Sequence, residues 1–174
     1  YLLLRNYSYT SVDSCRKYLG ILEGLSDTED LKNRFVLCEA RLLCVLRDKE
    51  GAVKKLESVI SDAISKSFIN DYYTDLDRCY TRLGEDYKEW YLNMVEEALA
   101  AAELDEALRL KLVARRSLLK GETDKALDYF TRCFNTSTDY HFKAMAAYNI
   151  ALILRDMDRE AYEYWLTEAA INDL

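Results

Sequence analysis

Between Leu110 and Cys133 the chain has a spacing of small and apolar residues that few folds accommodate. Intervals of three and four place side chains on one face of an α-helix, and a glycine between two such runs is typical of a helix end. The pattern predicts two helices joined by a tight turn, with small residues where they approach. Eight residues define it, at intervals of 3, 1, 3, 4, 5, 4 and 3: Leu110, Val113, Ala114, Ser117, Gly121, Ala126, Phe130 and Cys133.

The rest of the chain lacks the residues that interrupt helices. Among its 174 residues there is no proline, and only 5 are glycine. Both residue types punctuate turns, and proline also breaks helix interiors. Half of the residues are hydrophobic, which is enough to bury a sizeable core. We therefore expect an all-α fold with short loops, either one domain or a short solenoid.

The helix–turn–helix spacing returns along the chain. Ala52 lies 74 residues before Ala126, or twice 37, and Ala161 lies 35 residues after it. The spacing resembles the tetratricopeptide repeat (TPR), a helix pair of about 34 residues. This resemblance implies a right-handed α-solenoid of about nine antiparallel helices, in which the first helix of each pair lines a concave groove. The approximate repeat segments are 1–26, 28–68, 69–102, 105–135 and 139–174.

The middle of the chain follows the repeat less regularly. The second helix of segment 28–68 is expected to run from Ala52 to about Phe68. In segment 69–102 the apolar spacing predicts two helices on either side of a turn at 84–86, but Asp77 stands where the repeat has a small residue. The spacing therefore predicts this helix pair, but it does not fix which of its residues occupy which positions of the repeat.

Charge and motifs argue against several classes of function. A formal net charge of −7 disfavours a nucleic-acid partner, because phosphate backbones require a basic face. The one histidine, His141, has no neighbour at metal-ligand spacing, and no Gly-rich phosphate loop or catalytic motif occurs. We expect a non-enzymatic protein without cofactor or metal. Five cysteines without a Cys-x-x-Cys pair are expected to be buried free thiols: Cys15, Cys38, Cys44, Cys79 and Cys133.

Basic residues on the first helices form the candidate ligand site. Arg41, Arg78 and Arg115 are separated by 37 and 37 residues, which predicts one shared position on successive groove-lining helices. A guanidinium group suits a carboxylate or phosphate, and in peptide-binding members of the TPR family basic side chains at such positions hold a terminal carboxylate. Alternatively, each arginine pairs with a neighbouring acid such as Glu39 or Asp75. The predicted binding set is Arg34, Arg41, Arg78, Lys111, Arg115 and Lys143.

The C-terminal third carries a more specific resemblance. Its segments YHFKAMAAYNIA (140–151) and YEYWLTEAAINDL (162–174) resemble a run in the DUF6377-type TPR proteins, a family of bacterial regulators. Such proteins place their repeats outside the cytoplasmic membrane, followed by a single span and a cytoplasmic regulatory end. The resemblance implies that this fragment is the sensor region of a membrane-bound transcriptional regulator, which binds a protein or peptide ligand, with an anionic one favoured by the basic set.

Two further alternatives concern partners. The apolar ends, at residues 1–4 and at Trp165, Leu166, Ile171 and Leu174, predict either that the parent chain continues or that these faces pair in a homodimer. The alternative function is a cytoplasmic adaptor that holds acidic peptide tails, and unpaired cysteines suit that compartment better. Any membrane contact would come from parent sequence that is missing here.

Overall fold

The computed structural model describes residues 12–25, 28–59, 66–101 and 104–173. These residues form nine α-helices and no strand, which confirms the predicted all-α class. The helices are α1 Val12–Leu25, α2 Glu29–Val45, α3 Lys49–Glu57, α4 Lys66–Leu83, α5 Lys88–Ala101, α6 Glu106–Leu119, α7 Thr123–Thr136, α8 Tyr140–Leu154 and α9 Arg159–Asn172.

The chain divides into two compact units, an N-terminal unit of residues 1–91 and a C-terminal unit of residues 92–174. In the N-terminal unit, α1 packs on α2 through a buried cluster that contains Cys15, Leu19 and Cys38. The hydroxyl of Thr28 accepts a hydrogen bond from the Leu31 N–H at 3.3 Å and caps the beginning of α2. None of the described helices is long and apolar enough to cross a bilayer.

The helix boundary after α3 differs from the prediction. We expected one helix from Ala52 to about Phe68, but α3 ends at Glu57, and Phe68 lies in the first turn of α4. Where α3 ends, the Ser58 and Val59 N–H groups donate to the carbonyls three residues earlier, and the Ser58 hydroxyl donates to the Lys55 carbonyl at 2.8 Å. The boundary between the predicted segments 28–68 and 69–102 therefore falls inside α4.

Asp77, the irregular position of the middle repeat, has a defined role in the N-terminal unit. Its carboxylate accepts a hydrogen bond from the Tyr91 hydroxyl at 2.9 Å. The Tyr91 ring is buried and stacks on Tyr80, with ring centroids 4.4 Å apart. A carboxylate is needed here because the buried phenol requires an acceptor, and this explains the departure from a small residue.

The C-terminal unit contains the helix pair from which the repeat was inferred. Leu110 and Ala114 of α6 pack with Ala126, Phe130 and Cys133 of α7 in one buried cluster. Two residues of α8 complete the cluster, namely Ala146 and Ile150. Each of the three helices contributes alanine or another small side chain, so the backbones can approach closely around the Phe130 ring.

The turn after α6 explains the glycine in the pattern. Gly121 has φ +76°, and its N–H donates to the Leu118 carbonyl at 3.0 Å, while the Glu122 N–H donates to the Ser117 carbonyl at 2.9 Å. These two bonds are the Schellman arrangement, which favours glycine at the left-handed position. The turn after α2 has the same bonds but places Arg47 in that position, with φ 63°.

The two turns make a matched pair for a stability test. We expect Gly121→Ala to lower the free energy of unfolding by about 1 kcal/mol, because a Cβ meets nothing within 4 Å there and only the backbone is strained. Arg47→Gly should raise it by about 0.5 kcal/mol, since relief of the left-handed strain exceeds the added chain entropy of glycine. Urea unfolding of both variants measures this, and equal signs would contradict the account of these turns.

The apolar C-terminal end is partly accounted for within the C-terminal unit. Trp165 packs edge-on against Phe134, with centroids 5.2 Å apart and planes at 90°, whereas Ile171 is exposed. Residues 1–4 and Leu174 lie outside the described residues. It stays a prediction that these ends are covered by further chain or by a second copy of the protein.

Candidate functional site

The candidate basic side chains of the N-terminal unit lie where α2 packs on α4. Arg34 is largely buried, and its Nη1 lies 3.1 Å from Asp71 Oδ2, while its Nε donates to Asp30 Oδ2 at 2.7 Å. The guanidinium also lies 4.8 Å from the centre of the Phe68 ring. Arg34 is thus held by two carboxylates and an aromatic face.

Arg41 and Arg78 share one buried carboxylate. Arg41 Nη1 lies 3.4 Å from Asp75 Oδ2, and both side chains are 0% exposed. Arg78 Nη1 lies 3.4 Å from the other oxygen of the same carboxylate, and its side chain is 36% exposed. Asp75 therefore lies between an interior arginine and one that reaches the surface, as the alternative interpretation anticipated. Glu39, the other acid named there, instead accepts from Lys55 Nζ at 2.6 Å.

The even spacing of the three arginines recurs in the turns that follow their helices. Residues of positive φ lie at Arg47, Gly84 and Gly121, which are 37 and 37 residues apart. Arg41, Arg78 and Arg115 each lie six residues before one of these turn residues. That the three arginines occupy one shared groove-lining position stays a prediction.

In the C-terminal unit the candidate cations lie close to aromatic rings. Lys111 is buried, and its Nζ lies 5.5 Å from the centre of the Phe142 ring. Lys143 is partly exposed, and its Nζ lies 5.5 Å from the centre of the Phe134 ring. Arg115 is also partly exposed. Cation–π contacts hold both lysines against the fold, and they leave Arg115 and Lys143 as the members that reach the surface.

The sequence indicated Asp75 as an acidic partner, but not Asp71 or the two phenylalanine rings of the C-terminal unit. Asp71 and Asp75 lie 37 and 34 residues after Arg34 and Arg41, so only the packing of α2 on α4 brings them together. Ligand binding by the basic set stays a prediction. The side chains of Arg41 and Lys111 are buried, so solvent does not reach them.

Among the thiols of the described helices, Cys38 and Cys133 are poor candidates for surface chemistry. All five cysteines are free and buried, as predicted. Burial raises the pKa of Cys38 to about 12 and that of Cys133 to about 11, so both remain protonated at neutral pH. Within the described ranges, no group of three or more histidine, cysteine, aspartate or glutamate side chains could hold a metal ion.

Comparison with known proteins agrees with the helical architecture. The family model described as the SusR N-terminal TPR domain matches residues 2–174. Searches of the curated proteins and of the solved structures found no match. The TPR part of the resemblance is therefore confirmed, and TPR domains of this kind are non-catalytic scaffolds. Because the match spans nearly the whole chain, this protein belongs to the family of SusR N-terminal TPR domains.

Proposed function

We propose that this chain is the sensor region of a membrane-bound transcriptional regulator and that it binds a protein or peptide ligand. The observation that carries the proposal is the family itself, since SusR-like proteins are a family of sensors and regulators. The fold supports it as well. Helix hairpins such as α6–α7 and α8–α9 offer extended side-chain surfaces for recognition.

The cations that reach the surface favour an anionic ligand. In the C-terminal unit these are Arg115 on α6 and Lys143 on α8, and both helices contribute to the same buried cluster. Guanidinium and ammonium groups bind carboxylates through charge-assisted hydrogen bonds. Arg78 is the corresponding cation of the N-terminal unit, although it also contacts Asp75. Arg41 and Lys111 are assigned to holding the fold, because their side chains are buried.

The ligand assignment is tested with charge reversals at surface positions. We expect Arg115→Glu combined with Lys143→Glu to weaken binding of synthetic peptides with acidic C-terminal ends by about tenfold or more, which is about 1.4 kcal/mol. The melting temperature should change by only a few degrees, because neither side chain is fully buried. Fluorescence anisotropy measures the peptide affinity.

Arg159→Glu is the charge control, since Arg159 lies on α9 with 90% of its side chain exposed. It should leave the affinity unchanged. If the double reversal also leaves binding unchanged, Arg115 and Lys143 do not contact the peptide. If no acidic peptide binds the unaltered chain, the proposed ligand class is wrong.

The membrane assignment rests on the resemblance to DUF6377-type regulators, in which the repeats are extracytoplasmic and precede a single span. On this proposal the parent gene encodes a stretch of about 20 apolar residues downstream of position 174, and a ligand signal passes through the helices towards it. Translation of the sequence downstream tests this directly. A parent protein without such a stretch would favour the other candidate function.

That second candidate is a cytoplasmic adaptor for acidic peptide tails, and one observation favours it. All five cysteines are unbridged thiols, whereas extracytoplasmic proteins commonly contain disulfides. Burial of all five reconciles free thiols with either compartment. Fractionation of cells that express the parent protein, followed by protease protection, separates the two placements.

A further inference from the structure

Two of the buried cysteines face each other across the contact between α2 and α4. The register of these helices is set by two ion pairs: Arg34–Asp71 at 3.1 Å and, further along both helices, Arg41–Asp75 at 3.4 Å. Since both pairs advance in the same direction, α2 and α4 run parallel there. Residues three or four positions further along a helix lie on the same face one turn later.

One turn beyond the Arg41–Asp75 pair lie Cys44 on α2 and Cys79 on α4. The register of the two ion pairs brings these thiols to the same level of the contact between α2 and α4, and each thiol shifts the pKa of the other. Cys79 is 0% exposed and Cys44 is 7% exposed. Cys44 lies in the last turn of α2, which ends at Val45. Helix ends open more readily than helix centres, so Cys44 is the member of the pair that a small molecule reaches first.

The electrostatic environment distinguishes the two thiols. The hydrogen bond from Cys79 lowers the pKa of Cys44 against the opposing effect of burial, and Arg82 lowers it further. The same hydrogen bond, together with burial, raises the pKa of Cys79. A thiolate is the attacking species in disulfide exchange. Cys44 is therefore suited to attack first, and Cys79 is placed to resolve the product.

We propose that Cys44 and Cys79 are a redox-active pair. Small-molecule disulfides of the glutathione type oxidise the two thiols to a reversible disulfide between Cys44 and Cys79. The Cys44 thiolate attacks one sulfur of the oxidant, forming a mixed disulfide and releasing one thiolate, which takes up a proton. The Cys79 thiol then loses its proton, attacks the Cys44 sulfur and releases the second thiol. In balance, two protein thiols are oxidised, and one oxidant disulfide is reduced to two thiols.

The bond would tie α2 to α4 beside the buried ion pair. It closes a loop of 35 residues (79 − 44) within the N-terminal unit. A cross-link of this kind restricts the unfolded chain, so the oxidised protein should unfold at a higher urea concentration than the reduced one. Reduction would remove the covalent bond and leave the packing of α2 on α4 through the two ion pairs.

Peptide mapping of the unaltered chain tests the proposal without any substitution. The native chain is incubated with oxidised glutathione, its free thiols are blocked with N-ethylmaleimide in denaturant, and it is digested with trypsin. Cleavage at arginine places Cys44 in residues 42–47 and Cys79 in residues 79–82. We expect these two peptides to be joined and to separate on reduction. Cys15, Cys38 and Cys133 should carry the blocking group.

Variants and stability provide the controls. Cys38→Ser, in the same helix as Cys44, should still give the joined peptides, whereas Cys44→Ser and Cys79→Ser should each abolish them. If the joined peptides are absent from the native chain, or appear only after oxidation of the unfolded chain, the proposal is overturned. A urea midpoint that does not rise on oxidation would also overturn it, because the bond would not then belong to the native arrangement of α2 and α4.

Discussion

Replacing Asp75 with asparagine is expected to remove about 3–5 kcal/mol from the stability of the N-terminal unit. Arg41 and Asp75 both have side chains that are 0% exposed, and their charges lie 3.4 Å apart. Asp75→Asn keeps the volume of the side chain but leaves the Arg41 guanidinium buried beside a neutral amide. A buried ion that loses a counter-ion is costly, because that charge no longer offsets the desolvation of the guanidinium.

The chain offers a matched control one turn earlier. Asp71→Asn makes the same substitution in α4 against Arg34, but Asp71 is 24% exposed and Arg34 also has Asp30. We expect this variant to lose no more than about 1 kcal/mol, since solvent screens the pair. The double variant Arg41→Met with Asp75→Leu removes both charges and should recover most of the lost stability.

Trp90 provides the measurement for the N-terminal unit. The chain has 2 tryptophans, and Trp90 Nε1 donates to Glu57 Oε1 at 3.0 Å within this unit. In a Trp165→Phe background, urea unfolding followed by Trp90 fluorescence compares the variants directly. Equal losses for Asp75→Asn and Asp71→Asn would show that burial of the ion pair has no special energetic weight.

The features that the sequence predicted well are set by neighbours within a few residues. The intervals from Leu110 to Cys133 state which residues share a helix face, and Gly121 marks a turn that requires a left-handed backbone. Both follow from local geometry alone. The helix caps at Thr28 and Asp139 are local in the same sense, because a capping side chain bonds an N–H two or three residues ahead.

The basic site was harder to predict because it depends on contacts distant in sequence. A lysine or arginine is most often exposed, so nothing local marks Arg41 and Lys111 as buried. Their partners, Asp75 and Phe142, are 34 and 31 residues away (75 − 41 and 142 − 111).

The end of α3 is a local feature that the sequence did not predict. Apolar residues continue at helical intervals beyond Leu56, so the hydrophobic period predicted a longer helix. α3 nevertheless ends at Glu57, and no glycine or proline marks that point. A period of apolar residues indicates which side chains share a helix face, but not where the helix stops.

Phe130→Ala is expected to have a comparable effect in the C-terminal unit, a loss of about 3–5 kcal/mol. The ring is 0% exposed and lies in a cluster with residues of α6, α7 and α8. Ala114, Ala126 and Ala146 are among its neighbours there, and alanines cannot extend into the space that the ring leaves. Three helices would therefore lose their shared contact around a cavity, rather than one helix losing a surface contact.

Asp128 supplies the control for this variant, because it lies in the same helix with 66% of its side chain exposed. Asp128→Ala should change the stability by less than about 0.5 kcal/mol. Trp165 packs against the Phe130 cluster, so its fluorescence in a Trp90→Phe background reports unfolding of this unit. Hydrogen exchange should show the loss of protection in α6, α7 and α8, the helices that the ring joins. If Phe130→Ala cost no more than Asp128→Ala, the cluster would not be what holds these helices together, and the spacing from Leu110 to Cys133 would lack the physical meaning assigned to it.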